Sequence, residues 1–588
     1  MNMNMNMNMQ AIPREPSPRS RVLTIAALML GACACVWSFY TVGEAYGAYR
    51  LPQAGVDSIP AAELAFYGWY TLFGSVVCLL GAAAAAAIGL ESRLPRAFAL
   101  ACAQPRRCVA TLSLVVFGGS LAFRELVLAG QPIADDEQTY LFIARTLLSG
   151  RLTNPPPLDP DFFRNQFVVL NDHAWYGKYP IGHPLWLALG EALQVRALMG
   201  PLAGALCVVL TYAVGRHFVS ERRALLAVAL LAVSPHFVWT CGSLLSQPTS
   251  CLVLLSGTWL LLRSQADDSV PLALLSGAVF GFGVLVRPLP GGLFLLVAGG
   301  SYALRALAAA RGQRARAWFS CAGFVALGGL GCSAFLGVNY LQTGNAFSSG
   351  YHEAHGTVTL FGAWQSLANS LFGAALRENF WLLGVPAAFL PLLCCRLQHR
   401  RSLWVGLIAA ELAYRLLAPK TVLSTTGPIY MTEIVPLLTL AAADGMIRLA
   451  DCLPASWRAR WGLGPATLVA AGALAAFTMF WPVALRAAGS AAEARGRVFR
   501  ALAESHAERA LVFADALVYP ASAESWAYFP DNPSPQLDDD VLFVRVPKRD
   551  PLREVHDFWR RRYADRRAFL FMWSPSGQPL FRELQPDP

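Results

Sequence analysis

Apolar residues fall into long blocks along the chain, separated by short polar stretches that carry arginines. Runs of roughly 17 to 25 apolar residues are long enough to cross a bilayer as α-helix. Such runs lie near 22–41, 62–90, 109–130, 196–215, 224–240, 248–263, 271–286, 291–309, 317–338, 378–395, 403–418, 429–449 and 463–484. The pattern predicts an all-α polytopic membrane protein of about 13 transmembrane helices. No internal repeat of fixed period is present; the runs share hydropathy only.

The arginines orient this map. Arg14, Arg19 and Arg21; Arg93, Arg96, Arg106 and Arg107; Arg216, Arg222 and Arg223; Arg305, Arg311, Arg314 and Arg316; Arg396, Arg400 and Arg401; and Arg448, Arg458 and Arg460 all fall on one side. The positive-inside rule makes that side, and the N-terminus with it, cytoplasmic. The opposite side receives the loop 131–182, the turn at Arg287, the loop 339–377, the short loop around Lys420 and the C-terminal tail. Unusual polar features thus gather on one face.

Past about residue 505 the pattern changes to short β-rich runs ("ALVFA", "VLFVRV", "AFLFMW") around a helical "REVHDFWRRRYADR", which predicts a small α/β domain outside the membrane. The opening "MNMNMNMNMQ" is low-complexity and expected to be disordered, and the run after Arg21 has no small-residue cleavage site, so the first span is expected to be retained. The predicted organisation is a disordered cytoplasmic N-terminus (1–21), two N-terminal spans (22–106), a transmembrane region (107–484) with a large outer loop (131–182), and a C-terminal α/β domain (485–588).

Composition agrees. Of 588 residues, 55% are hydrophobic and 14% charged, against about 25% charged in soluble domains. The net charge of +10 sits in arginine clusters between spans and not on one basic surface, which argues against a nucleic-acid partner. Cys33, Cys35, Cys78, Cys207, Cys251, Cys321 and Cys332 lie inside apolar runs and no Cys-x-x-Cys pair occurs. The thiols read as small core residues, not as a disulfide framework or a zinc or haem site.

Four polar constellations stand on the outer face. "QPIADDEQTYLFIARTLL" places Asp135, Asp136 and Glu137 at the mouth of the third span, followed by Leu141, Phe142, Leu147 and Leu148 at the spacing of an amphipathic interfacial helix. An acid there can cap the helix start; three adjacent acids repel one another unless a cation or a proton offsets them. "HAWYGKYPIGHPLWLALG" sets Lys178, Tyr179, His183 and Trp186 where the chain re-enters the membrane, either as an interfacial anchor or as a cationic seat for phosphate. "GFGVLVRPLPGG" leaves Arg287 on a short turn with few polar companions, in want of an anion: a lipid headgroup or a substrate phosphate. "GNAFSSGYHEAHG" carries His352, Glu353 and His355, a weak metal pattern or a plain polar loop, and "STTGPIYMTEIVP" carries Tyr430 and an intramembrane Glu433. Carboxylates that can serve as base or metal ligand, beside cations that can hold phosphate, suit displacement of a phosphate leaving group. A lipid-linked sugar phosphate fits, since its phosphate sits at headgroup depth and leaves as a stable anion.

These residues resemble the C-type membrane glycosyltransferase superfamily, in particular bacterial relatives of the dolichyl-phosphate-mannose protein mannosyltransferases and of the aminoarabinose transferase that acts on lipid A. The resemblance is carried by "DE" at Asp136 and Glu137 with Tyr140 after it, "KYPIGHP" from Lys178 to Pro184, "SPHF" at 234–237, "LVRP" ending at Pro288 and "GPIYMTEIVPLL" from Gly427. It implies a catalytic transmembrane domain over 107–484. It further implies inverting transfer of a sugar from a polyprenyl-phosphate donor to a protein, lipid or glycan acceptor, on the periplasmic side of a bacterial inner membrane, with the C-terminus periplasmic. By position, Asp136 with its neighbours Asp135 and Glu137 would be the catalytic acid group, and a divalent ion (Mg, Mn or Zn) would sit on Asp136 and Glu137. Lys178, His183 and Arg287 would hold the donor phosphate, and Tyr140, Tyr179, Tyr430 and Glu433 would contact substrate. The sequence departs from that pattern in its two extra N-terminal spans, and at Ile181, Gln247 and Ile429, where a proline, a histidine and an arginine are expected.

Two other readings compete. A transporter or flippase for a lipid-linked or anionic solute should place paired polar groups or broken helices near the bilayer midplane, where this chain is mostly Ala, Leu, Val and Gly. A scaffold protein leaves Asp136 and Arg287 unexplained.

Overall fold

The computed structural model of the chain describes residues 18–45, 61–132, 134–165, 167–351, 364–396, 400–417, 427–452, 464–514, 532–546, 551–576 and 578–585. The N-terminal 17 residues, His352, Glu353 and His355, Lys420, Arg458 and Arg460 lie outside them.

Backbone polar groups in lipid must be satisfied within their own segment, so the apolar runs fold as helices. The chain opens with α1 (Pro18–Ala45) and α2 (Ala61–Ala87), then α3 (Leu90–Ala103) and α4 (Pro105–Val127), whose last turn widens into a π-helix. The outer loop contributes α5 (Asp136–Leu148), the antiparallel hairpin β1 (Val168–Leu170) and β2 (Trp175–Gly177), and α6 (Gly182–Ala192). There follow α7 (Met199–Gly215), α8 (Glu221–Ala232), α9 (Pro235–Cys241), α10 (Ser246–Ala266), α11 (Val270–Val286), α12 (Pro288–Ala308), α13 (Arg314–Thr343), α14 (Trp364–Trp381), α15 (Phe389–Leu393) and α16 (Arg401–Leu417). A 3-10 turn, Ile429–Ile434, runs into α17 (Val435–Cys452), and α18 (Pro465–Glu504) is 40 residues long.

Among the described residues, eight helices are long and apolar enough to cross a membrane, or nine if α8 and α9, bent by 63°, form one span. The predicted 13 also included α10, α11, α16 and the run 378–395. Of these, α11 and α16 have 17 residues each and α10 opens on polar Ser246, Gln247, Thr249 and Ser250. The run 378–395 is not one helix. After Trp381 the backbone turns through Gly384 at φ +66°, a conformation that favours glycine, and Pro386 and Pro391 supply no amide hydrogen. Asn379 staples the break: its Nδ2 donates to the Pro386 carbonyl and its Oδ1 accepts from the Phe389 amide, both at 3.0 Å.

The helices run between two chemically different ends. At one end Asp444 accepts from Arg223 at 2.5 Å, Arg448 at 2.9 Å and the Arg396 amide at 2.9 Å. Beside it Arg400 reaches Gln265 Oε1 at 2.7 Å, while Arg305 and Arg316 pair with Asp268. These arginines, far apart in sequence, share one end, as the charge pattern required. The acids and aromatics of the outer loop occupy the other: α17 carries Asp444 eleven residues past Glu433, about 16 Å along the axis.

The C-terminal residues form a four-stranded sheet of β3 (Ala510–Phe513), β4 (Val541–Val544), β5 (Arg567–Trp573) and β6 (Pro579–Glu583) in the order β4-β3-β5-β6, with α19 (Pro551–Arg562) between β4 and β5. β3 is parallel to both neighbours and β6 is antiparallel to β5. This unit packs on the outer loop: Phe162 stacks on Phe558 at 3.9 Å, Arg145 pairs with Asp539 at 2.8 Å and Arg562 with Asp159 at 2.8 Å. α5 is accordingly not an interfacial helix. Phe142 is buried against Trp175 in a cluster shared with β3 and α19, and Leu141, Ile143 and Ala144 are buried against residues of α6 and Leu244.

Candidate active site

The three adjacent acids have three different environments. Glu137 is 1% exposed, and its Oε2 accepts the Leu244 amide at 2.9 Å while Oε1 faces the Ala134 amide at 3.4 Å. Arg124, on the π turn of α4, lies 3.9 Å away. Glu137 thus caps no first-turn amide of α5 and instead clamps the helix to the link between α9 and α10. Asp135 makes no side-chain cap and faces Arg495 at 3.9 Å. Asp136 is half-buried, and its Oδ1 accepts a hydrogen bond from the Tyr179 hydroxyl. Burial, and then the Asp136 charge, raise the Tyr179 and Tyr140 hydroxyls well above the ordinary phenol range. Both stay protonated and act as donors.

The β1–β2 hairpin delivers Tyr179 and Lys178 to this place. Its turn is built by Asn171, whose Oδ1 accepts the His173 and Ala174 amides at 3.0 and 2.8 Å. Lys178 is 5% exposed, with Nζ 3.8 Å from the Phe167 ring, 5.0 Å from Tyr179 and 5.4 Å from Tyr351. Ring faces attract a cation without neutralising it. Gly182 opens α6 so close to α11 that a Cβ would meet the Leu285 carbonyl carbon at 2.6 Å; only glycine lets "KYPIGHP" dock beside Arg287. His183 does not present itself to a ligand. Its Nε2 donates to the Leu244 carbonyl at 2.8 Å, its Nδ1 meets the Thr249 hydroxyl at 3.0 Å, and it is 2% exposed. Burial pushes the imidazole down to about 4, against the pull of that carbonyl. A neutral ring with both nitrogens engaged is a strut and supplies no charge to a phosphate, contrary to the expectation.

Arg287 has the polar companions that its short turn did not promise. Its Nη1 donates to Glu433 Oε1 at 2.6 Å and its Nη2 to the Tyr414 hydroxyl at 2.8 Å, with the Tyr414 and Tyr430 rings 5.4 and 5.3 Å away. Glu433, expected to touch substrate, meets Arg287 instead, yet its Oε2 has no partner among the described residues. Gln247 Oε1 and Ser250 Oγ, one turn apart on α10, are likewise buried without a partner among those residues, and α10 packs on the turn that carries Glu433. Each such oxygen costs about 1–3 kcal/mol unless a donor reaches it. The two groups of residues belong to one place: Tyr140 is within electrostatic reach of both Asp136 and Arg287, and Tyr351 of Asp136, Tyr140, Tyr430 and Tyr414. The Tyr140 hydroxyl donates to Ser246 at 3.1 Å and its ring packs on Tyr179 and His183 at 4.6 and 4.7 Å.

Sequence reasoning did not single out Tyr351, Tyr414 or Phe167, which are aromatic walls, or the acid behind His236. His236, from "SPHF", is fully buried with Nδ1 2.8 Å from Glu378 Oε2 and Nε2 3.1 Å from Thr432 Oγ1. Thr432 donates to the Ile429 carbonyl at 2.7 Å, so its oxygen accepts the Nε2 hydrogen, and Nδ1 faces Glu378. No group of three His, Cys, Asp or Glu side chains among the described residues is placed to hold a metal ion; the oxygens of Glu137 are already taken by backbone amides.

Residues 180–330 match the family model described as dolichyl-phosphate-mannose-protein mannosyltransferase. The match includes Gly182, His236, Gln247 and Arg287, and stops short of Asp136 and Glu433. Among solved structures, the chain is similar to ArnT from Cupriavidus metallidurans bound to undecaprenyl phosphate, with 16% identity, 80% of this chain and 92% of that one covered, and a TM-score of 0.48. It is also similar to the Archaeoglobus fulgidus oligosaccharyltransferase in complex with Zn and sulfate, with 13% identity, 64% and 53% covered, and a TM-score of 0.37. No curated protein matches the sequence. The resemblance to membrane glycosyltransferases read from the motifs is therefore met by the mannosyltransferase family model over residues 180–330.

Proposed function

We propose that this protein is a membrane glycosyltransferase that moves a sugar from a polyprenyl-phosphate donor to a hydroxyl of a protein, lipid or glycan acceptor, at the end of the helices remote from the arginines and hence on the periplasmic side. The observation that carries the reading is Asp136: of three adjacent acids it is the one both half-exposed and oriented by a phenol, Tyr179, amid Lys178, Tyr140 and Arg287. In the reaction an Asp136 oxygen takes the proton of the acceptor hydroxyl while the hydroxyl's own oxygen attacks the anomeric carbon. The bond from that carbon to the phosphate oxygen breaks on the opposite face, and the sugar inverts. The polyprenyl phosphate departs as an anion, which Lys178 and Arg287 stabilise in place of a general acid. The unpartnered oxygens of Gln247, Ser250 and Glu433 are acceptors for sugar hydroxyls. No step runs through a metal ion.

The breaks between α8 and α9 and between α14 and α15 are features that the alternative, a transporter of a lipid-linked or anionic solute, would use. Incubating the purified protein in vesicles with radiolabelled polyprenyl-phosphate sugars and membrane extract separates the two. A labelled glycoconjugate, absent with Asp136→Asn, supports transfer. Label carried into vesicles without any new glycoconjugate supports transport.

A further inference from the structure

We infer that α2, one of the two spans additional to the resemblance, is a positioning element for the active site, acting through α14 and His236. The inference rests on the proposed function for the identity of the site, and on geometry for the connection. Three buried links compose it. First, Arg377 of α14 makes a fork-on-fork pair with Glu63 of α2, Nε to Oε1 at 2.7 Å and Nη2 to Oε2 at 2.8 Å. Tyr67 donates to Glu63 at 2.9 Å and accepts from Trp381 Nε1 at 3.1 Å, and Tyr70 donates to the Gly384 carbonyl at 2.6 Å. α2 therefore grips the end of α14 at Arg377 and Trp381, and the break after it at Gly384. Second, the next residue, Glu378, points about 100° away around the helix and meets His236. Trp239, one turn further along α9, packs edge-on against Trp381 at 5.2 Å. Third, His236 holds Thr432, in the 3-10 turn Ile429–Ile434 that also carries Tyr430 to the Arg287 ring contact and Glu433 to the Arg287 ion pair.

The sequence explains the need for a brace. α14 ends at Trp381 in a break made by Gly384 and Pro386, so its last turn, with Glu378 on it, lacks the support of a continuing helix. A Cβ on Gly74 of α2 would meet Pro386 Cγ at 2.8 Å, which puts α2 directly against that break. A fully buried carboxylate shared between Nδ1 of one histidine and nothing else described, Glu378 Oε1 being without a partner among the described residues, holds its register only if the backbone beneath it is fixed from behind.

The test is hydrogen–deuterium exchange of the full chain in detergent, comparing wild type, Glu63→Gln, His236→Ala and the double variant. Glu63→Gln is expected to raise exchange at least about threefold in residues 373–383 and in 427–435, with 199–215 unchanged. In the His236→Ala background the same change should add nothing at 427–435. Loosening at 373–383 with 427–435 at the wild-type level would overturn the inference, leaving α2 a brace for α14 alone. If Glu63→Gln loosens the whole chain, Tyr67→Phe replaces it in the same comparison. In transfer assays Glu63→Gln should lower kcat about tenfold with the donor KM unchanged. Absence of transfer by the wild type would refute the proposed function while the exchange data still decide the role of α2.

Discussion

Among the buried arginine–carboxylate pairs of the described residues, two are built differently. Arg377 and Glu63 meet fork to fork, with both side chains at 2% exposure or less. Arg287 gives Glu433 a single short contact, places its second amino group on Tyr414 and leaves Glu433 Oε2 without a described partner. A closed pair has each charge neutralised by geometry and nothing left to offer; it joins elements. An open pair keeps donors and an acceptor that a ligand can take up, so its desolvation cost is tolerated for chemistry. One pair ties α2 to α14, and the other faces the quarter that holds Tyr140, Tyr430 and, within electrostatic reach of Tyr140, Asp136.

The sharpest way to break this contrast is Arg287→Met. Transfer, as kcat/KM, should fall at least about a hundredfold, with a smaller loss of thermal stability than Arg377→Met shows. If its activity merely tracks the folded fraction, the two pairs are of one kind. Arg377→Met leaves Glu63 buried without its arginine, and unfolding should show a loss of about 3–5 kcal/mol. Replacing both members, Glu63→Leu with Arg377→Leu, should restore most of that stability, because a packed apolar pair is often neutral relative to a buried ion pair. The corresponding double change at Arg287 and Glu433 should restore stability without restoring transfer. A further effect, spread over a pH range, concerns His183. Its folded pKa of about 4 lies below the unfolded value of about 6.5, so the unfolded chain binds the proton first. Stability from this group is full above pH 6.5 and declines as pH falls toward 4, by roughly 3 kcal/mol. Unfolding of His183→Gln measured across that range should lose this part of the pH dependence.

The sequence made most spans and the common arginine end legible, because apolar length and charge placement are local properties. It hid what depends on pairing through space. Arg287 was visible as an isolated charge, but Glu433 lies 146 residues away and shows only in the fold. Lys178 and Tyr179 were legible by motif, whereas the Phe167 and Tyr351 rings around Lys178 come from a hairpin and from the end of α13's following loop. The three acids looked alike until Leu244, Arg495 and Tyr179 gave each a separate environment. The break after Trp381 was written in Gly384, Pro386 and Pro391, but averaged hydropathy over 378–395 concealed it. His183 misled for a general reason: chemistry-bearing type and location do not reveal whether both ring nitrogens are already bonded.

The central claim is that Asp136 is the base at the mouth of this site. It is tested most directly by single-turnover transfer from a labelled undecaprenyl-phosphate sugar, with wild type, Asp136→Asn and Asp136→Glu compared at equal donor occupancy and equal thermal stability. The account expects Asp136→Asn to lose at least about a hundredfold in rate while still binding donor, with partial recovery in Asp136→Glu. Transfer by Asp136→Asn at the wild-type rate would contradict it.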